Sequence, residues 1–169
     1  ATTTTTATAI ADPAEPSPTA TPTPTTDPEG RVLKKVGDLA SVVGEDGVTY
    51  IKFRVNRIEK NFKCKGEWAE KSKNGHYVGI WMEFWTDKAV GGDDVYAVFT
   101  DEWQVVGPDG VTENDSSGNG SECGTESQSL PQLIEGAKHV KGVVVVDTKY
   151  NSGSLVFTWG DLAGWKYDF

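Results

Sequence analysis

The sequence predicts an all-β fold, an antiparallel β-sandwich of about seven to nine strands over residues 31–169, behind a Thr/Pro-rich stalk over residues 1–30. Three observations carry this. Apolar residues alternate with polar ones in several short runs. Glycine-rich and acidic turn sequences separate those runs. No stretch shows the 3.6-residue periodicity of an amphipathic helix.

The stalk is read from composition. Residues 1–30 hold eleven Thr and six of the eight Pro, with no Lys, Arg or aromatic residue. Such a segment buries too little apolar surface to offset its ordering entropy, so an extended, disordered stalk is expected. Its "PSPTATPTPTTDP" run favours polyproline-like stiffness. The chain carries a net charge of -9. Four carboxylates fall in the stalk, which leaves residues 31–169 with 16 bases against 21 acids, or -5. An acidic domain without a basic stripe argues against nucleic acid and against anionic membrane surfaces. No run of 18 apolar residues is present, so no helical bilayer insertion of this segment is expected.

The elements follow in order. "VGDLASVV" and "TYIKFRVNRIEK" flank the turn "GEDG" at 44–47 and read as a hairpin. In the second strand, Ile51, Phe53 and Val55 point one way and Tyr50, Lys52 and Arg54 the other. "HYVGIWMEFWTD" has Val78, Ile80, Met82 and Phe84 on one face and Tyr77, Gly79, Trp81, Glu83 and Trp85 on the other. A strand apolar on both faces is expected to be central or covered. "VYAVFTDEWQVV" reads as the next strand, closed by the turn "GPDG" at 107–110. A long polar loop spans 112–129. "LPQLIEG", with one short helical turn expected after it, leads into "KHVKGVVVVDT", the most apolar strand. "NSG" turns the chain into "SLVFTW", and "GDLAGWKYDF" closes on a last strand.

Cys64 and Cys123 are the two cysteines, 59 residues apart and each in loop-type sequence. No CxxC or Cys/His spacing suggests zinc. Their surroundings favour a disulfide, and with it an oxidising compartment. Two buried free thiols are the alternative.

Taken in order, "GHYVGIWMEFWT", "WQVVGPDGVT", the cysteine after it, "LPQLIEGAKHVKGVVVVD", "SGSLVFTW" and "GWKYDF" resemble a family of actinobacterial proteins, secreted or lipid-anchored, with an immunoglobulin-like sandwich. The family includes a small secreted mycobacterial antigen, and the resemblance covers about residues 36 to 169. It implies export, a cysteine pair at places like Cys64 and Cys123, and often a Thr/Pro linker after a lipidated cysteine. It brings no catalytic residues and no cofactor. Where members carry Pro-Gly before the valine-rich strand, this chain has Glu135-Gly136. The chain begins with Ala and its one Met is Met82. This reads as a mature exported chain, free or with a lipid anchor upstream of residue 1.

Candidate sites are few. "DSSGNGSECGTE", residues 115–126, has the ligand order of an EF-hand loop, with Asp115, Asn119, Glu122 and Glu126 as the calcium-binding oxygens. The flanks argue for a solvated loop instead, because a strand precedes it and Pro131 blocks a following helix. His76 and His139 lack helical metal spacing. The pairs Asp93-Asp94 and Asp101-Glu102 would point to opposite strand faces, so neither makes a two-carboxylate site. Six tryptophans are many for this length. Trp81 and Trp85 share the face opposite the aliphatic one, and Trp68 lies in a polar loop. These three form the candidate binding face. The expected function is therefore a non-catalytic, exported envelope module that binds an envelope or host protein. A structural spacer domain and a calcium-binding surface domain are the alternatives. The disulfide has a direct check. Denatured, unreduced protein should titrate no thiol, and two free thiols would remove the export argument built on it.

Overall fold

A computed structural model describes residues 23–88, 96–97 and 100–169. Among them are ten strands: β1 (Val32–Leu33), β2 (Leu39–Val43), β3 (Thr49–Lys60), β4 (His76–Thr86), β5 (Tyr96–Ala97), β6 (Trp103–Val106), β7 (Leu133–Ile134), β8 (His139–Thr148), β9 (Ser154–Trp159) and β10 (Leu162–Asp168). One four-stranded sheet runs β1-β10-β9-β6 and a second runs β2-β3-β4-β8, while β5 and β7 pair separately. The two larger sheets face each other as a sandwich. β4 is interior to its sheet, as its two apolar faces require.

The alternating residues become the core. Ile51, Phe53, Val55, Val78, Ile80, Met82 and Phe84 are buried from one sheet, and Trp103, Leu155, Phe157, Trp165 and Tyr167 from the other. Phe53 is the centre of this layer. Its ring lies 5.8 Å from Phe84 in its own sheet, and 5.1 and 4.8 Å from Phe157 and Trp165 across the sandwich. The last two meet it edge-on, the arrangement that the ring quadrupole favours. Burial raises the pKa of the Tyr167 hydroxyl, with the Asp38 carboxylate adding to the shift.

Several expectations need correction. The run "VYAVFTDEWQVV" is not one strand, because a 3-10 turn at Thr100–Glu102 separates β5 from β6. That turn is tied down by the Thr158 hydroxyl, which donates to the Glu102 carbonyl at 3.1 Å. The short helical turn expected after "LPQLIEG" is absent. β7 and a turn lead straight into β8, and the other 3-10 turn sits at Gly120–Glu122 instead. The sheets are not wholly antiparallel either, since β1 runs parallel to β10. Those strands come from opposite ends of the chain, so no hairpin forces them to oppose. Strand-level contacts also begin before Arg31. Thr26 bridges Val32, and the Asp27 carboxylate takes Arg31 Nε at 2.7 Å and Lys166 Nζ at 3.5 Å. Residues 1–22 of the stalk, and Asp93-Asp94, lie outside the described residues.

The most informative departure lies within β3. Pairing with β4 shifts between Val55 and Arg57, so Asn56 is an extra residue, a β-bulge. Before it the odd-numbered residues face the core. After it Ile58 pairs with Ile80 on the core side, and Arg57 stands opposite Trp81 on the outside. Phe53→Ala should destabilise the protein by about 3–5 kcal/mol, the usual range for deleting a buried aromatic ring. Urea unfolding would measure it, and a cost under about 1 kcal/mol would show that Phe53 is not the hub of the core.

Candidate functional site

The outer face of the β2-β3-β4-β8 sheet gathers most of the candidate residues, and strand register arranges them in rows. Ser41, Lys52, Trp85 and His139 form one row across the four strands. Leu39, Arg54, Glu83 and Lys141 form the next, and Arg57, Trp81 and Val143 the one after. Trp81 and Trp85 therefore share this face as expected. They are half-buried, however, and neither presents a bare ring. Trp85 stacks on His139 with centroids 4.8 Å apart, and the Arg54 guanidinium sits 5.7 Å from its ring. The Arg57 guanidinium lies 4.8 Å from the Trp81 ring, and Trp81 Nε1 donates to Glu59 at 3.0 Å. These are cation–π pairs, and the Arg57 guanidinium is also ion-paired with Glu59 at 3.0 Å.

Glu83 is the electrostatic knot of the face. Its side chain is 8 % exposed and is met by Lys141 Nζ at 2.6 Å, His139 Nε2 at 2.7 Å and Arg54 at 4.0 Å. Lys141 holds the Glu83 carboxyl below the ordinary glutamate range. Partial burial opposes that shift, and His139 reinforces it. Arg54 Nε is buried and makes no hydrogen bond. Beside it opens a cavity of about 420 Å³ lined by Leu39, Tyr50, Lys52, Arg54 and Trp85 among others. A second cavity of about 530 Å³ lies further along the face and includes Arg57, Trp81, Gln128 and Lys141 in its wall.

The other end of this face is covered. Phe62, Tyr77, Cys123, Val143 and Val145 form a second apolar cluster, with Cys64 and Trp81 packed against it. Cys64 and Cys123 are joined in a disulfide with Cα atoms 4.5 Å apart, and the free cysteines number none. The Phe62 ring lies over Gly79, where an added Cβ would come within 2.6 Å of it. Asp147 anchors the same layer from the end of β8. This fully buried carboxylate accepts hydrogen bonds from the Ser72 hydroxyl and from the backbone amides of Lys73, Asn74 and Asn119. It thus ties the 61–75 loop and the 112–129 loop to one strand. Sequence analysis missed this residue, which looked like the polar end of a valine run.

The proposed calcium oxygens are not brought together. Asp115 accepts Lys73 Nζ at 2.8 Å and the amide of Gly118 at 3.0 Å, so its carboxylate is already committed. The Asn119 side chain donates to the Lys71 carbonyl and to Glu70. Glu122 ends a 3-10 turn, and Glu126 lies beyond the disulfide. Among the described residues, no group of three His, Cys, Asp or Glu side chains could hold a metal ion. Spacing alone suggested the loop, but Lys73 takes the Asp115 carboxylate and the Asn119 side chain is turned to donate to the 61–75 loop. Trp68 is the most exposed of the three tryptophans at 73 % and sits away from the other two. It lines a cavity of about 490 Å³ with Glu67, Glu122 and Glu126.

His139 beside Glu83 is a histidine next to an acid. It lies on an open sheet face, and among the described residues no hydroxyl or thiol hydrogen-bonds the ring. A nucleophile–base pair is therefore not assembled there. Asp101 and Glu102 sit in a 3-10 turn and do not converge on a cleft as two working carboxylates would.

This geometry defines the class as a two-sheet β-sandwich with a disulfide-pinned loop layer over half of one sheet. No family model matches the chain, and no curated protein matches it. Among solved structures it is similar to MPT63, a secreted protein from Mycobacterium tuberculosis. The TM-score is 0.51 at 10 % identity, over 82 % of this chain and 98 % of that one. The likeness is one of fold.

Because the folded Glu83 carboxyl titrates below its value in the unfolded chain, its contribution to stability is present above about pH 4.3. It is lost as pH falls through the depressed folded value. The melting temperature of Glu83→Gln should therefore lie below that of the parent at pH 7 and converge with it towards pH 3. Parallel profiles over that range would show that Glu83 carries no net pairing energy.

Proposed function

We propose that the chain is a non-catalytic, exported module that binds a protein partner through the outer face of β3, β4 and β8. One observation carries the reading. Two tryptophans on β4 each hold an arginine of β3 beside the ring on a sheet face that the loop layer leaves open. Rigid aromatic–arginine pairs are the kind of anchor that interfaces favour. Export is supported by the Cys64–Cys123 disulfide, by the fold shared with a protein described as secreted, and by the motif order that resembles secreted and lipid-anchored actinobacterial proteins. The Thr/Pro-rich segment before the domain would then act as a spacer from the envelope. Trp68 belongs to a different surface and is not included in the face.

Chemical cross-linking of the full chain to cell envelopes tests this reading. Trp85→Ala should lose the captured partner while keeping the parent's circular dichroism spectrum. Gln104→Ala, an exposed change on β6 of the opposite sheet, should retain it. Equal capture by both variants would rule out this face as the binding surface.

A further inference from the structure

The chain is acidic overall, yet this face is cationic. Lys52, Arg54, Arg57 and Lys141 point outward from adjacent rows of β3 and β8, with Glu59 and Glu83 among them and Asp87 in the wall of the cavity that Lys52 and Arg54 line. Side-chain exposures of 39 % for Arg54, 59 % for Arg57 and 64 % for Lys141 leave the charged groups accessible. Lys52 is exposed as well. The acids are concentrated elsewhere, as with Glu67, Glu122 and Glu126 around Trp68. Resting on the reading of this face as a binding surface, we propose that its occupant is an extended acidic polypeptide segment whose carboxylates pair with Lys52, Arg54, Arg57 and Lys141.

Three features favour that occupant. Glu83 already has Lys141 and His139 at hydrogen-bonding distance and meets Arg54 only at 4.0 Å, and the Arg54 side chain is 39 % exposed. Its terminal guanidinium nitrogens are thus open to an incoming carboxylate, which a guanidinium takes in bidentate fashion. Next, Lys52 and Arg54 are alternate residues of one strand, roughly 7 Å apart, which is the spacing of alternate side chains in any extended peptide laid along β3. The bulge at Asn56 keeps Arg57 on the same face and so lengthens the row. Last, the indole rings already have neighbours: His139 stacks on Trp85, and the Arg57 guanidinium lies beside Trp81. A sugar that needs a bare aromatic face finds none here. Leu39 and Tyr50, in the wall of the cavity beside Arg54, offer apolar contact to residues between the acids.

The probe is a blocked, fluorescein-labelled twelve-residue peptide of alternating Glu and Thr, titrated by anisotropy into the full chain at low salt. The parent should bind it and release it progressively up to about 0.5 M salt, as screened charge pairs do. Arg54→Gln, and separately the surface pair Lys52→Gln/Arg57→Gln, should each weaken binding at least about tenfold at an unchanged melting temperature, as loss of a charge-assisted pair requires. The matching Lys/Thr peptide should not bind. An unbound Glu/Thr peptide, or variants that bind like the parent, would overturn the proposal. So would alginate, a uronic-acid polymer, binding as well as the peptide, since the face would then read carboxylated glycan. Envelope capture that depends on Trp85 but is indifferent to the Glu/Thr peptide would leave the binding face standing and remove only the acidic occupant.

Discussion

The outer face of the β4 sheet has the form it does because Asp147 is buried at the end of β8. A carboxylate with no exposure must have its lone pairs filled. Here a hydroxyl and three backbone amides do so, drawn from segments 28 and more than 70 residues away in sequence. Those donors belong to the two loops that also carry the cysteines. The disulfide closes the same layer from its other side, and a cross-link over a loop of this size restricts the unfolded chain by roughly 4 kcal/mol. Phe62 can then lie flat on Gly79, and the lower rows of the sheet are sealed. What remains open is the upper part, with its tryptophans and bases. The site is thus what the loop layer leaves uncovered.

Much of the fold was legible because two-sided alternation is a direct record of burial. Val78, Ile80, Met82 and Phe84 sit in the core, and Tyr77 and Gly79 turn to the covered side, as the two-sided pattern of β4 implied. The turns at 44–47 and 107–110 were legible because Gly47 and Gly110 take φ values of 78° and 80°, where a side chain is unfavourable. Less was legible wherever the deciding partner is distant. Asp147 gives no local sign that four donors converge on it. The spacing of Asp115, Asn119, Glu122 and Glu126 suggested a shared ion, but linear spacing says nothing of Lys73, which lies far away in sequence and takes the Asp115 carboxylate.

The bulge at Asn56 stands between these cases. Ile51, Phe53 and Val55 follow a strict period of two, and the next aliphatic residue, Ile58, comes three positions later. That skipped beat was a readable sign of an inserted residue, yet on its own it could equally have marked the strand's end. The structure decides because β4 offers Ile80 on the core side as the partner of Ile58. Register is a property of the pair of strands, and it cannot be read from either alone.

The same bulge makes β3 a strand written in two reading frames. Upstream, odd positions belong to the interior; downstream, the assignment is reversed. The junction is a single asparagine that pairs with nothing on β4. Val55 and Arg57 stand opposite the consecutive residues Met82 and Trp81, so deleting Asn56 would leave a regular ladder with Arg57 still outside and Ile58 still inside. The downstream frame is held by β4 and not by the count of residues in β3, and the bulge is the slack that absorbs the surplus one. The charged row thus tolerates a change of strand length at this one point without any of its bases turning inward.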